Sequence, residues 1–226
     1  MQIIIVIMSI ILCLISFWVM VKDKEAQILK LENDCVDKQK LYSKDMMIYS
    51  VVIIGVTIGI AVLLGGKIYE TERMVFAIIK QLVLLCILWP LAYIDFTTYR
   101  IPNSFIILGL LYRGIILGGE LLVQNQYAGL VLLSEVIAAA ALFIAAIFCT
   151  LIVKNSLGYG DIKLFIVMGL MLGMQYVWSA IFMSLVVSFF VASYVLMTKK
   201  KKRNDAIPFA PAIVIGTYIS IILMGM

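Results

Sequence analysis

Long apolar stretches separated by short polar segments make up most of the chain. Eight stretches follow this pattern, at residues 3–21, 46–66, 74–94, 102–119, 128–153, 162–173, 176–197 and 207–223. A helix of about 20 apolar residues crosses a bilayer, and most of these stretches reach that length. The pattern predicts an all-α integral membrane protein, a polytopic bundle of about eight transmembrane helices. Residues 1–73 would form two N-terminal helices with a short charged loop, and residues 74–226 a six-helix domain.

One part of this pattern is too short for two ordinary spans. Residues 164–197 contain no Asp, Glu, Lys or Arg, yet the chain must cross and return within them. Two full spans need about 40 residues and a turn. We therefore expect the turn at Gly173 and at least one short helix, which would thin the bilayer locally or leave a water-filled recess.

The basic residues are distributed unequally between the two sets of loops. Most of the 18 Lys and Arg lie in one set: Lys22, Lys24, Lys30, Lys38, Lys40, Lys44, Arg100, Lys154, Lys163 and the run at residues 199–203. The opposite loops hold Lys67 and Arg73. The positive-inside rule places the basic loops in the cytosol and both termini outside. This rule accounts for the basic run and the net charge of +5 without a nucleic-acid partner or a specific anionic-lipid site, so the expected partner is the bilayer itself.

Three charged residues lie inside predicted spans at matching depth. Lys80, Arg113 and Glu135 are each about 9–10 Å from the outer end of their helix at a rise of 1.5 Å per residue. An unpaired charge there costs a few kcal/mol, so we expect Glu135 to pair with Arg113 or Lys80. The alternative is that each side chain reaches the membrane surface independently.

Composition narrows the possible chemistry. The chain is 64% hydrophobic and 14% charged, against about 45–50% and 25% in soluble domains, and it contains no histidine. A soluble enzyme, a Ser-His or Cys-His dyad and an HExxH zinc site are therefore excluded. Its four cysteines form no CxxC pair, and the three in apolar stretches, Cys13, Cys86 and Cys149, are expected to be small core residues.

Two aspartates lie at predicted helix ends on the same membrane face. Asp95 ends the third span, and Asp161 begins the sixth after Gly158 and Gly160, which would permit positive φ and a close approach to another segment. A single interfacial aspartate is usually a solvated helix cap. Together the two could perform general acid–base catalysis without histidine, because carboxylates within about 3 Å share a proton.

Three motifs carry a resemblance to a known family. Asp95 is followed by Ile101-Pro102-Asn103, then by Gly158-Tyr159-Gly160-Asp161-Ile162-Lys163 and finally by Ile207-Pro208-Phe209-Ala210-Pro211. Residues 89–216 thereby resemble the type IV prepilin peptidases. The resemblance implies that Asp95 and Asp161 are the catalytic dyad of an aspartic peptidase domain. It implies site-shaping or substrate-binding roles for six further residues: Pro102, Asn103, Gly158, Gly160, Lys163 and Pro208. Lys163 would either orient a carboxylate or only contribute to the positive charge that keeps its loop in the cytosol.

The resemblance also implies a substrate and a location. Members of this family cut the short basic leader from pilin-like precursors at the cytosolic face of the bacterial or archaeal cell membrane, without a metal or organic cofactor for the cleavage. The larger bifunctional members also methylate the new N-terminus and carry two CxxC pairs in a long cytosolic loop. The corresponding loop here contains only Cys35, so methylation is doubtful and the chain resembles the compact peptidase-only members.

Two other interpretations agree with part of the sequence. A presenilin-like intramembrane protease shares the GxGD motif, but Ile94 precedes Asp95 and the segment at residues 208–211 is not Pro-Ala-Leu. A transporter or assembly scaffold could use the aspartates to bind protons or cations, but it would favour carboxylates near the middle of the bilayer.

Overall fold

In a computed structural model, the protein is a bundle of helices. The structure describes residues 2–31, 44–65, 72–123, 125–152, 157–198 and 208–224. The helices are α1 (Gln2–Leu31), α2 (Lys44–Gly65), α3 (Glu72–Thr98), α4 (Asn103–Val123), α5 (Asn125–Ile152), α6 (Tyr159–Met197) and α7 (Ala210–Met224). Helices α1 to α6 contain segments long and apolar enough to span a membrane, and α7 is a shorter apolar helix. The prediction of an all-α polytopic membrane protein is confirmed.

Among the helix boundaries that differ from the hydropathy pattern are the ends of α1 and α3. Helix α1 continues to Leu31, well beyond the apolar stretch, so the start of the predicted charged loop is helical. Helix α3 continues to Thr98 and therefore includes Asp95. In both cases the backbone hydrogen bonding of the helix continues past the point where apolar residues end. The rest of the first loop with Cys35, and the basic run at residues 199–203, lie outside the described residues.

Helix α6 reverses direction at Gly173. That residue has φ 66° and ψ 179°, a left-handed conformation that favours glycine. Three contacts with α7 and the residue before it show the reversal along α6: Phe165 with Phe209, Ser179 with Ser220, and Ser184 with Ile213. The contact point moves from the start of α7 to near its end and then back. The predicted turn at Gly173 is confirmed, and the seven helices of the described residues thus supply the eight predicted stretches.

The first segment of α6 is short. Residues 159–172 cover about 20 Å at 1.5 Å per residue, compared with the roughly 30 Å of a bilayer hydrocarbon core. The expected short helix of the pair is therefore confirmed. Asp161 lies at the end of this segment opposite to the turn.

Helix α3 is the centre of the bundle. In its spanning segment 78% of the residues are buried, compared with 33% or less in the other five spans. It contacts α1, α2, α4, α6 and α7. The helix that carries Asp95 is thus enclosed by most of the molecule.

Small residues allow α6 to approach its neighbours closely. A Cβ atom on Gly169 would lie 2.5 Å from the Ala139 Cα, and one on Gly216 would lie 2.3 Å from the Ser184 backbone nitrogen. Membrane helices commonly pack through such small residues, since lipid provides no hydrophobic force between them. These contacts fix both segments of α6 against α5 and α7.

Four charged side chains form a buried cluster between α3, α4 and α5. Glu135 accepts hydrogen bonds from Lys80 Nζ and Arg113 Nε, each at 2.6 Å. Glu120 lies 2.9 Å from Lys80 Nζ and 3.0 Å from Arg113 Nη2. The predicted pairing of Glu135 is confirmed with both cations, and independent extension to the surface is wrong, because each side chain is at most 8% exposed. The hydropathy pattern missed Glu120, although it lies two helical turns after Arg113 and so on the same face.

The cysteines divide between the core and the surface. Cys13 of α1 and Cys86 of α3 are buried, with their sulfur atoms 3.2 Å apart. Cys149 of α5 is exposed, so its assignment to the core was wrong. Apolar neighbours in sequence do not decide which face of a spanning helix a residue occupies.

Candidate active site

Asp95 is held at the junction of α3 and α7. Its side chain is 7% exposed, and its Oδ2 accepts a 3.0 Å hydrogen bond from the backbone N–H of Ala210. Ala210 begins α7 directly after Pro208-Phe209, so its N–H is one of those that a helix start leaves free. Helix α3 ends just after Asp95, with Tyr99 at φ 53° and its N–H bonded to the Asp95 carbonyl at 2.8 Å.

Asp161 lies in the first turn of α6 and is half-buried. Its Oδ2 accepts a 3.2 Å hydrogen bond from the backbone N–H of Gly158, and its own N–H donates to the Gly158 carbonyl at 3.0 Å. A carboxylate at a helix N-terminus is also favoured by the helix dipole. The predicted helix-start position of Asp161 is confirmed.

The two glycines before Asp161 provide space and not an unusual backbone. Among the described glycines only Gly173 has positive φ, so Gly158 and Gly160 do not use the positive φ that glycine permits. A Cβ atom on Gly160 would lie 2.7 Å from the Ile101 Cβ, and one on Gly158 would lie 3.2 Å from the Asp161 Oδ2. The expected close approach to another segment is therefore confirmed.

The three sequence motifs meet at one end of the bundle. Contacts between them join Gly160 to Ile101, Lys163 to Asn103, Asp95 to Ala210 and Phe165 to Phe209. Asp95 is bonded to Ala210, next to Phe209, and Phe209 packs against Phe165, one helical turn after Asp161. The structure thus brings together two acids that are far apart in the chain.

The other predicted site residues surround this meeting point. Asn103 is the first residue of α4, preceded by half-buried Pro102, and it accepts a 2.9 Å hydrogen bond from the Lys163 ammonium. Pro208 is half-buried just before α7. A role for Lys163 in orienting a carboxylate, and the site-shaping roles of the others, stay predictions.

One contributor was missed by reasoning from the motifs. The Ala210 N–H, and not a side chain, binds Asp95. The two prolines at 208 and 211 could have indicated it, because proline is common near a helix start, where backbone N–H groups are free.

This arrangement can support general acid–base chemistry. Each carboxylate is held through Oδ2 by a backbone N–H, and both are partly withdrawn from solvent. Two carboxylates that come within about 3 Å of each other share a proton, which leaves one group as an acid and the other as a base.

Comparison with known proteins assigns the family. A model of the type IV leader peptidase family matches residues 82–196, just over half of the chain and including both aspartates. The chain belongs to the type IV leader peptidase family. This assignment confirms the resemblance drawn from the motifs and favours it over a presenilin-like protease.

Two curated relatives agree with this assignment. The chain is 32% identical over 97 residues to a prepilin leader peptidase/N-methyltransferase of Bacillus subtilis (strain 168), covering 43% of this chain and 37% of the relative. It is 29% identical over 155 residues to a prepilin leader peptidase/N-methyltransferase of Legionella pneumophila, covering 66% of this chain and 50% of the relative. The matches therefore span half or less of either relative's length. No solved structure matches the chain.

Proposed function

We propose that this leader peptidase family member is a membrane-embedded aspartic endopeptidase. It would cut the short basic leader from type IV prepilin-like precursors at the cytosolic membrane face. Asp95 and Asp161 would be the catalytic dyad, within a membrane domain of residues 74–226.

The observation that carries this proposal is the convergence of Asp95 and Asp161 on α3 and α6. Asp95 bonds to Ala210 next to Phe209, Phe209 packs against Phe165 one turn after Asp161, and Gly160 lies against Ile101. A peptide bond can be hydrolysed by two such carboxylates without imidazole, which suits a chain that contains no histidine. The two relatives named as prepilin leader peptidases support the choice of substrate class.

In the proposed reaction, one carboxylate takes a proton from water as the water oxygen attacks the scissile carbonyl carbon. The other, protonated carboxyl donates its proton to the carbonyl oxygen. Transfer of a proton to the amide nitrogen then breaks the carbon–nitrogen bond and releases the new amino terminus. The backbone N–H groups of Ala210 and Gly158 would hold the two carboxyl groups in place throughout.

The cytosolic orientation is supported by the basic residues around the aspartates. Lys24, Arg100 and Lys163 all belong to the end of the bundle that carries the dyad. Basic loops are retained on the cytosolic side of the membrane. Recognition of a basic leader beside these cations must therefore be local, through the carboxylates of the site itself.

Cleavage of a pilin-like precursor tests the proposal directly. The chain would be co-expressed with a precursor that has a basic leader, and the mature N-terminus would be analysed by mass spectrometry. We expect cleavage by the parent chain and none by Asp95→Asn or Asp161→Asn, because either change removes a proton donor or acceptor. The mass of the mature N-terminus reports methylation in the same experiment.

Glu25→Gln is the matched control, since Glu25 is an exposed acid of α1 at the same end of the bundle. It should cleave at the parental rate. Thermal unfolding of each variant would show that folding is retained. Robust processing by either Asn variant would contradict the dyad, and proton or cation binding without any cleavage would favour the transporter interpretation.

A further inference from the structure

The segment of α3 that carries Asp95 follows a proline. Pro90 lies inside α3 and has no backbone N–H, so one hydrogen bond of the helix is missing at this point. The orientation of residues 91–98 therefore depends more on contacts with neighbouring helices than it would in an uninterrupted helix.

Helix α2 contacts α3 on both sides of Pro90. The Tyr49 hydroxyl donates to the Trp89 carbonyl at 3.3 Å, immediately before the proline. The Tyr49 ring also packs against Tyr93, with centroids 5.3 Å apart, after the proline. Trp89 is in turn stacked on Phe17 of α1 at 6.5 Å. The N-terminal helices thus form an aromatic support along this part of α3.

Helix α1 adds a charged contact at the end of this support. The Lys24 ammonium lies 4.5 Å from the centroid of the Tyr93 ring, in a cation–π geometry. The neighbouring Asp23 accepts a 3.4 Å hydrogen bond from Ser104, which follows Asn103 at the start of α4. Residues 23 and 24 of α1 therefore touch both helices that flank the connection at residues 99–102.

Tyr93 and Asp95 act on opposite sides of the same helical turn. Two residues in a helix are about 200° apart, so the side that faces α1 and α2 through Tyr93 is opposite to the side that faces α7 through Asp95. A rotation of this turn would displace both side chains together. Anchoring Tyr93 thus limits the positions that the Asp95 carboxylate can occupy.

We propose that Lys24 is a positioning residue for the dyad, which acts through its contact with Tyr93. The first helix would then be part of the peptidase site, although the family match begins only at residue 82. The inference rests on the proposed function for its kinetic consequence, while the contact itself does not depend on that function. The competing explanation is that Lys24 only contributes positive charge to the cytosolic face.

Lys22 provides a matched control two residues away. Its ammonium lies 4.4 Å from the ring of Trp18, which is on its own helix and 57% exposed, so the contact does not reach α3. Lys22→Ala and Lys24→Ala remove the same charge from the same face. Lys24→Arg retains a cation that binds an aromatic ring well.

The kinetic test measures kcat and KM for cleavage of a purified pilin-like precursor in lipid vesicles. We expect Lys24→Ala to lower kcat about tenfold with KM unchanged, because small misplacement of a catalytic group reduces the rate strongly. Lys24→Arg should restore most of kcat, and Lys22→Ala should match the parent. Equal losses in the two alanine variants, or no loss in either, would overturn the proposal.

Hydrogen exchange gives a readout that does not require activity. Backbone amides of residues 91–98 should exchange several-fold faster in Lys24→Ala than in Lys22→Ala, with equal thermal stability. Unchanged exchange in this segment would overturn the positioning role whether or not the precursor is cleaved. A parent chain that cleaves no precursor would contradict the proposed function, while the exchange result would still decide whether Lys24 orders this part of α3.

Discussion

The buried charge cluster makes a quantitative prediction for Glu135→Gln. In the parent, Glu135 bonds to Lys80 and Arg113 at 2.6 Å and is 2% exposed. The substitution keeps the size of the side chain but leaves two cations facing the single anion of Glu120. Removing one partner of a buried ion pair costs about 3–5 kcal/mol. Glutamine still offers one acceptor oxygen, so we expect a loss of about 3 kcal/mol in the free energy of unfolding.

A loss of this size is measurable as a change in thermal stability. At about 2–4 °C per kcal/mol for a chain of this length, Tm should fall by roughly 6–12 °C. The assay is thermal unfolding of the purified protein in detergent and again in lipid vesicles. Glu25→Gln, which changes an exposed acid, should leave Tm nearly unchanged.

A second substitution separates charge imbalance from loss of packing. Adding Lys80→Gln to Glu135→Gln restores neutrality and leaves Arg113 paired with Glu120, so the double variant should recover part of the lost stability. An unchanged Tm for Glu135→Gln in both detergent and lipid would refute the energetic importance of the cluster. The charge argument would be refuted if the double variant lost more free energy of unfolding than the two single variants lose together.

Two further predictions concern helix packing. Gly216→Ala should lower the free energy of unfolding by about 2–3 kcal/mol, because the added Cβ would collide with the Ser184 backbone. Gly55→Ala should not destabilise the protein, because the added Cβ would meet nothing within 4 Å. Equal thermal stability of the two variants would contradict the close approach of α6 and α7. Iodine in lipid vesicles should oxidise Cys13 and Cys86 to a disulfide, since their sulfur atoms are 3.2 Å apart, and mass spectrometry of the linked peptides would identify it. A link from either residue to the exposed Cys149 would disagree with this packing.

Much of the site could be predicted from sequence because its residues lie in short motifs at helix ends. Asp95 and Asp161 were recognised as a pair from their position at the ends of apolar stretches and from the residues beside them. The pairing of Glu135 was predictable for a similar reason, since three charges at one depth in a bilayer need partners. Glu120 was missed because it lies just past the end of its apolar stretch.

Contacts that depend on helix rotation could not be predicted in this way. The bond from the Ala210 N–H to Asp95, and the contact of Lys24 with Tyr93, join helices that are distant in the chain. Cys149 was placed on the wrong face for the same reason. An all-apolar helix has no polar side that would show in the sequence which of its faces meets lipid.

The sequence by itself determined the class of the protein, because a bilayer accepts only segments that are long, apolar and internally hydrogen-bonded. It also determined which acids could perform the proposed chemistry, since histidine is absent and the motifs surround two aspartates. Only the tertiary structure decided how those acids are held. Their partners are backbone groups and aromatic rings of other helices, and the packing of small residues sets the distances between those helices.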